Sequence, residues 1–232
     1  MSTNTLESPL TYEIRRSRRK TAAIHVTPAG IEVRVPYGVS QRWVNDFVMS
    51  RSSWIQKTQA KLADQKRPDD VLGWDSELLW SGKCVKVRYS QAATRSTRLI
   101  DQTFLVSGRT QPTLKELRLL LEQFFKDHAK QTLIQLTQAR ALQLGVQDKL
   151  LDIRFRRTKT KWGHCTSQGR IQYNWQIMGA PLDVQDYLVC HEVSHLIHGH
   201  HGPEFWQCVA QLCPDYQKHR QWLKEFGFQL QW

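Results

Sequence analysis

Residues 191–201 read His-Glu-Val-Ser-His-Leu-Ile-His-Gly-His-His. On a helix, His191 and His195 lie about one turn apart on one face, so both can grip a single ion. Glu192 stands beside them, placed to take a proton from a water that the ion activates. Five of the nine histidines fall in this segment, and clustering of this kind is what metal sites select. The segment constrains the fold in two ways. It needs a helix held firmly enough to fix the first two ligands, and a chain reversal that brings back a third.

Three residues compete for that third place. His201 follows Gly199 and Gly202-Pro203, residues that stop a helix and let the chain turn back. Glu204 would complete a His₂Glu set, also a catalytic arrangement. His198 shares the helical face of His191 but lies a turn beyond His195, which strains a single tetrahedral site. The order of preference is therefore His201, Glu204, His198, with His200 as a supporting or surface residue. Upstream, Pro181 suits a first helical turn, and Asp183 and Asp186 suit the positive end of the helix dipole. Leu182, Tyr187, Leu188 and Val189 predict a mostly buried helix.

Five cysteines (Cys84, Cys165, Cys190, Cys208, Cys213) are odd in number and form no C-x-x-C pair. The expectation is a reduced, cytoplasmic protein. No apolar stretch approaches membrane-spanning length, and the opening Met-Ser-Thr-Asn-Thr-Leu-Glu-Ser-Pro has no apolar core of a secretory signal. Net charge is +12, from 33 Lys and Arg against 21 Asp and Glu. That excess suggests an anionic partner such as DNA or a nucleotide. It concentrates in residues 15–20, Arg-Arg-Ser-Arg-Arg-Lys, and 154–161, Arg-Phe-Arg-Arg-Thr-Lys-Thr-Lys.

Patterning predicts an α+β chain. Antiparallel strands are expected at 11–16, 22–27 and 31–35, with Pro28-Ala29-Gly30 as a turn. One helix is expected over 40–63, with Val44, Phe47, Val48, Trp54, Ile55 and Leu62 on its apolar side. A loop over 64–76 contains Pro68 and Gly73. Short strands follow at 78–81, 84–89, 97–100 and 103–106. A long helix from Thr113 to Leu144 carries the stripe Leu114, Leu117, Leu121, Phe124, Phe125, Leu133, Leu136 and closes at Gly145. A β-hairpin, 153–157 with 170–177, precedes the His-rich helix, and two short helices at 203–212 and 215–226 end the chain. The division expected is an N-terminal β-rich portion with one helix, 1–112, and a catalytic domain, 113–232. In such a domain one helix backs the metal helix, and an edge strand can receive an extended peptide.

Several spaced motifs then agree with one family. They are His191-Glu192-x-x-His195-x₅-His201 followed by Gly-Pro-Glu-Phe205-Trp206, and Arg157-x-Lys159-x-Lys161-Trp162-Gly163-x-Cys165. Gly169-Arg170-Ile171, Asn174-Trp175, Ala180-Pro181, Tyr12-Glu13-Ile14-Arg15-Arg16-Ser17-x-Arg19 and Trp54-Ile55 agree as well. Across residues 12–226 the chain resembles the YgjP-like zincin metallopeptidases, themselves similar to the SprT-like and WLM protease groups. The resemblance implies a zincin-like fold, one Zn²⁺ per chain on His191, His195 and His201, and Glu192 as catalytic acid and base. The chain departs from the family at position 164, where His stands in place of the usual Ser.

Three functions follow from these readings. The first is a zinc peptidase acting on protein or peptide. The second is a metal-dependent nucleoside triphosphate pyrophosphatase, with Arg154, Arg156, Arg157, Lys159, Lys161 and Arg170 around the phosphates. The third is a DNA-associated basic protein with a structural zinc, against which Glu192 argues because a structural site needs no base. Trp162, His164, Arg157, Lys159, Lys161 and Arg170 are the candidate substrate-binding residues. His164, Tyr173 and Tyr187 are the candidate donors to a developing oxyanion.

Overall fold

The computed structural model describes residues 10–27, 30–63 and 72–232. The first two residues of the expected Pro28-Ala29-Gly30 turn, and most of the expected 64–76 loop with Pro68, lie outside the described residues. The chain divides into two compact units, 1–66 and 67–232.

In the first unit, strands β1 (Glu13–Ser17), β2 (Ala23–Thr27) and β3 (Gly30–Pro36) form a sheet ordered β1-β3-β2. Ile31, Val33 and Val35 alternate along β3 and are buried with Val44, Val48 and Ile55 of two helices. The expectation of antiparallel strands holds for β2 with β3, but β1 runs parallel to β3. The single helix expected over 40–63 is two, α1 (Gln41–Met49) and α2 (Ser52–Ala63). Ser50 breaks it: its hydroxyl donates to the Phe47 carbonyl at 2.8 Å, a side-chain bond that competes with helix continuation.

The second unit begins with a four-stranded sheet of β4 (Glu77–Trp80), β5 (Lys83–Gln91), β6 (Ser96–Ile100) and β7 (Thr103–Gly108), ordered β4-β5-β7-β6. It shares a core with the long helix α3 (Leu114–Gln143): Leu78, Val85, Phe104 and Val106 are buried with Leu117, Leu121 and Phe125. The Trp80 ring meets Phe125 edge-on with centroids 4.8 Å apart. A boundary at 112, as patterning suggested, would cut this core. The compact units part at 66/67 instead.

Helix α3 starts where its sequence says. Thr113 accepts from the Glu116 amide at 3.3 Å, while the Glu116 carboxylate accepts from the Thr113 amide at 2.8 Å. This is a reciprocal capping box. Gly145 ends the helix with φ of 66°, the left-handed conformation favoured in glycine. Its buried residues are Leu117, Leu121, Phe125, Ala129, Leu133, Thr137 and Ala141. They recur every fourth position, so the buried strip rotates by about 40° per step around the helix. One helix can therefore serve successive partners: the sheet at Phe125, Tyr173 at Thr137, and the His-rich helix near Ala141. The expected stripe errs at Leu114, which is 54% exposed; it sits in the first turn, ahead of the strip.

Strands β8 (Asp152–Arg156), β9 (Gly163–Cys165) and β10 (Arg170–Asn174) form the third sheet, ordered β8-β10-β9. The expected hairpin of β8 with β10 is a parallel pair, and β9, read as its loop, forms the antiparallel hairpin with β10. Strand β9 is thus an edge. Helix α4 (Leu182–Ser194) follows, then α5 (Pro203–Leu212) and α6 (Tyr216–Phe226). Across the described residues the fold is mixed α+β, with six α-helices and three small sheets. No helix among them is long and apolar enough to cross a membrane.

Tyr173 of β10 is fully buried, and its hydroxyl lies 2.9 Å from Thr137 Oγ1, which donates onward to the Leu133 carbonyl at 2.6 Å. Thr137→Val keeps the shape and leaves the Tyr173 hydroxyl buried without its partner. Such a loss costs about 1–3 kcal/mol. The expected result is a lower urea midpoint with unchanged slope and unchanged zinc content.

Candidate metal centre

Helix α4 is fixed from both sides before it delivers its histidines. Asp186, expected only to favour the helix dipole, is forked by Arg140 of α3 at 3.0 and 2.6 Å. Gln185 donates to the Met178 and Ala180 carbonyls at 3.3 and 2.8 Å. Tyr187, Leu188 and Val189 are buried as expected, whereas Leu182 is 62% exposed. The helix stops at Ser194, with His195 as its C-cap. This is earlier than the expected stop at Gly199.

That early stop shapes the site. His195 Nδ1 lies 2.9 Å from the His198 carbonyl. A carbonyl only accepts, so Nδ1 carries the proton and Nε2 presents a lone pair. The chain then turns, and His201 returns with its Nε2 3.2 Å from that of His195 and 3.0 Å from that of His191. The three ligand atoms lie within 4.8 Å of one another. Nitrogens at zinc-bond length on a tetrahedral ion sit about 3.3 Å apart, so the cluster fits a Zn²⁺-sized cation. Burial, together with His195, His201 and the Arg220 charge, pushes His191 down to about 3. Burial also lowers His195 and His201. All three are held in the neutral form that binds metals.

Glu192 faces the same space. It is 3% exposed, and its Oε2 is buried without a hydrogen-bond partner. Burial pushes its carboxyl up to about 8, with Lys161 pulling the other way. Its place depends on Gly163, which the sequence motif contains but to which the sequence reading gave no role. A Cβ on Gly163 of β9 would lie 2.6 Å from Glu192 Cδ and 2.7 Å from Cγ, well inside contact. The edge strand comes this close to α4 only because position 163 has no side chain.

A cleft of about 450 Å³ joins these groups, bordered by Lys161, Trp162, Gly163, His164 and Cys165 on the β9 side and by Tyr187, Leu188 and Leu223 on the helix side. Of the candidate substrate residues, Trp162, His164 and Lys161 line it. Trp162 also packs on Gly227, where a Cβ would meet its Nε1 at 3.1 Å. Arg157, Lys159 and Arg170 are not among its walls. Arg170 and Arg154 are both committed to Asp152, at 2.6 and 3.1 Å. Of the candidate oxyanion donors, Tyr173 is bonded to Thr137 away from the cleft, whereas Tyr187 and His164 line it. Burial pushes the Tyr187 phenol up to about 12, so it stays a donor. Burial, with Glu192 adding to it, pushes the Cys165 thiol up to about 11, which keeps it a protonated, poor ligand.

The rivals for the third ligand lie elsewhere. His198 and Glu204 line a separate hollow with Gln143, Gln207 and Gln211. His200 is exposed. Phe205 and Trp206 of α5 pack around the cluster, with Phe205 4.5–5.0 Å from the three imidazole centroids.

A triad of neutral imidazoles, two of them from the helix that also carries a buried carboxylate, defines a candidate metallohydrolase centre. Residues 20–226 match the model of the YgjP-like metallopeptidase domain, and the chain belongs to that family. No curated protein sequence matches the chain.

Zinc stoichiometry should separate the rival ligands. His201→Ala is expected to lose the ion after dialysis against a weak chelator. Glu204→Ala and His198→Ala are expected to keep about one zinc per chain.

Proposed function

We propose that the chain is a zinc-dependent peptidase that hydrolyses peptide bonds in the cleft between β9 and α4. The observation that carries this reading is the edge strand. β9 pairs with β10 on one side only, and its residues Gly163, His164 and Cys165 border the same cleft as Glu192 and the three histidines. An extended peptide added to that free edge would run past the centre with its carbonyls in reach.

Zn²⁺ held by His191, His195 and His201 would activate a water and polarise the scissile carbonyl. Glu192, unpartnered at Oε2, accepts the proton of the attacking water and passes it to the leaving amine. Tyr187 and His164 are the groups at hand to donate to the carbonyl oxygen as negative charge develops on it. Trp162 excludes water from one wall. Cysteines free of disulfides fit a reducing, cytoplasmic setting.

Phosphoanhydride hydrolysis is the weaker reading for this cleft. It drew on six basic residues, of which Lys161 alone lines the cleft, while Arg154 and Arg170 share Asp152.

The test is hydrolysis of an unfolded protein, such as reduced casein, by zinc-loaded protein. Wild type should cleave it. Glu192→Gln should lose activity by about 10²-fold or more, with zinc retained. Gly163→Ala should do the same, because the added methyl displaces Glu192 and not the histidines. Equal cleavage by wild type and Glu192→Gln would sink the proposal.

A further inference from the structure

Helix α6 turns one face toward the metal cluster. Tyr216, Arg220 and Leu223 stand at i, i+4 and i+7, one side of a helix. Leu223 lines the cleft, and the Tyr216 ring stacks on Trp206 at 17° with centroids 5.2 Å apart. Between them, the Arg220 guanidinium carbon sits 4.6 Å from the centre of the Trp206 ring. Trp206 is itself nearly parallel to the ligand His201, at 23° and 5.7 Å. Arg220 is therefore fixed beside the cluster through one aromatic ring. Its charge acts on His191, His201 and Tyr187.

A cation here needs a reason. Three neutral imidazoles leave the full charge of a divalent ion uncompensated. Lys161 adds positive charge at the cleft, and among the described residues Glu192 is the one carboxylate along its walls. Arg220 is not itself among the cleft walls. It stands over Trp206, which stacks on His201, and adds to that field from the rim; its partner among the described residues is the Trp206 ring, not a carboxylate. Stacking fixes the guanidinium while leaving its N–H groups to form the planar fork that matches a carboxylate.

We propose that Arg220 anchors a carboxylate of the peptide substrate beside the metal. This rests on the peptidase reading. The carboxylate comes either from an Asp or Glu side chain near the scissile bond or from a free C-terminus. The fork holds it while β9 holds the backbone.

Calorimetric binding to full-length, zinc-loaded protein carrying Glu192→Gln tests this without turnover. The probes are hexapeptides with one Glu walked along an otherwise neutral sequence, the all-Gln parent, each as free acid and as amide, and inorganic pyrophosphate. A charge-assisted pair is expected to tighten binding by about 10- to 100-fold for at least one Glu position or for the free acid. Which of the two gains identifies the source of the carboxylate. Adding Arg220→Ala should erase the preference, and Arg220→Lys should keep part of it, with zinc content unchanged in both. Equal affinities, a preference that survives Arg220→Ala, or no binding by any probe would overturn the proposal. Arg220-dependent binding of pyrophosphate alone would overturn the carboxylate assignment and count against the peptidase reading too. Casein cleavage by wild type without an Arg220-dependent preference would leave that reading standing and remove this one.

Discussion

A buried carboxyl oxygen without a hydrogen-bond partner is costly, and this fold is arranged so that Glu192 Oε2 is one. It stays there because α4 is tied to α3 through Asp186 and Arg140 and pressed against an edge strand with no side chain at position 163. The same helix ends one residue short of His195, whose carbonyl-bonded Nδ1 turns Nε2 inward. The buried acid and two of the three converging nitrogens thus come from one element and its cap. Its position is set by α3, whose rotating buried strip links the four-stranded sheet, β10 and α4. Burial without a hydrogen-bond partner at Oε2 raises the proton affinity of Glu192, which suits a group that must take up a proton.

Much of the site was legible because its chemistry is local. His191, Glu192 and His195 follow from helical spacing. His201 follows from the turn signals at Gly199 and Gly202-Pro203, even though the helix stops earlier than Gly199. The ends of α3 were equally legible, since Thr113, Glu116 and Gly145 act within a few residues of themselves. Patterning alone could not exclude Glu204 or His198. Only the path of the chain after His195 sends them to another hollow.

Pairing order was not legible. In each sheet a strand is followed by a hairpin whose second strand lies against the first, as β1-β3-β2, β5-β7-β6 and β8-β10-β9. Alternation of apolar residues sets which face is buried, not which neighbour a strand takes. The expected hairpin of β8 with β10 failed for that reason, and so did the boundary at 112, since the sheet built from 77–108 shares its core with α3. The roles of Gly163 and Arg220 were not legible for a related reason. Gly163 matters through a contact with a residue 29 positions on, and Arg220 sits in a run that reads as a solvated helix face until Trp206 is placed beneath it.

The central proposal is that three imidazoles, and no other side chain, hold one zinc. X-ray absorption at the zinc edge of the loaded protein tests it most directly. The account predicts three imidazole nitrogens at about 2.0–2.1 Å and one further light atom in a four-coordinate shell. A sulfur scatterer at about 2.3 Å, drawn from Cys165, or a shell with two imidazoles, would contradict it.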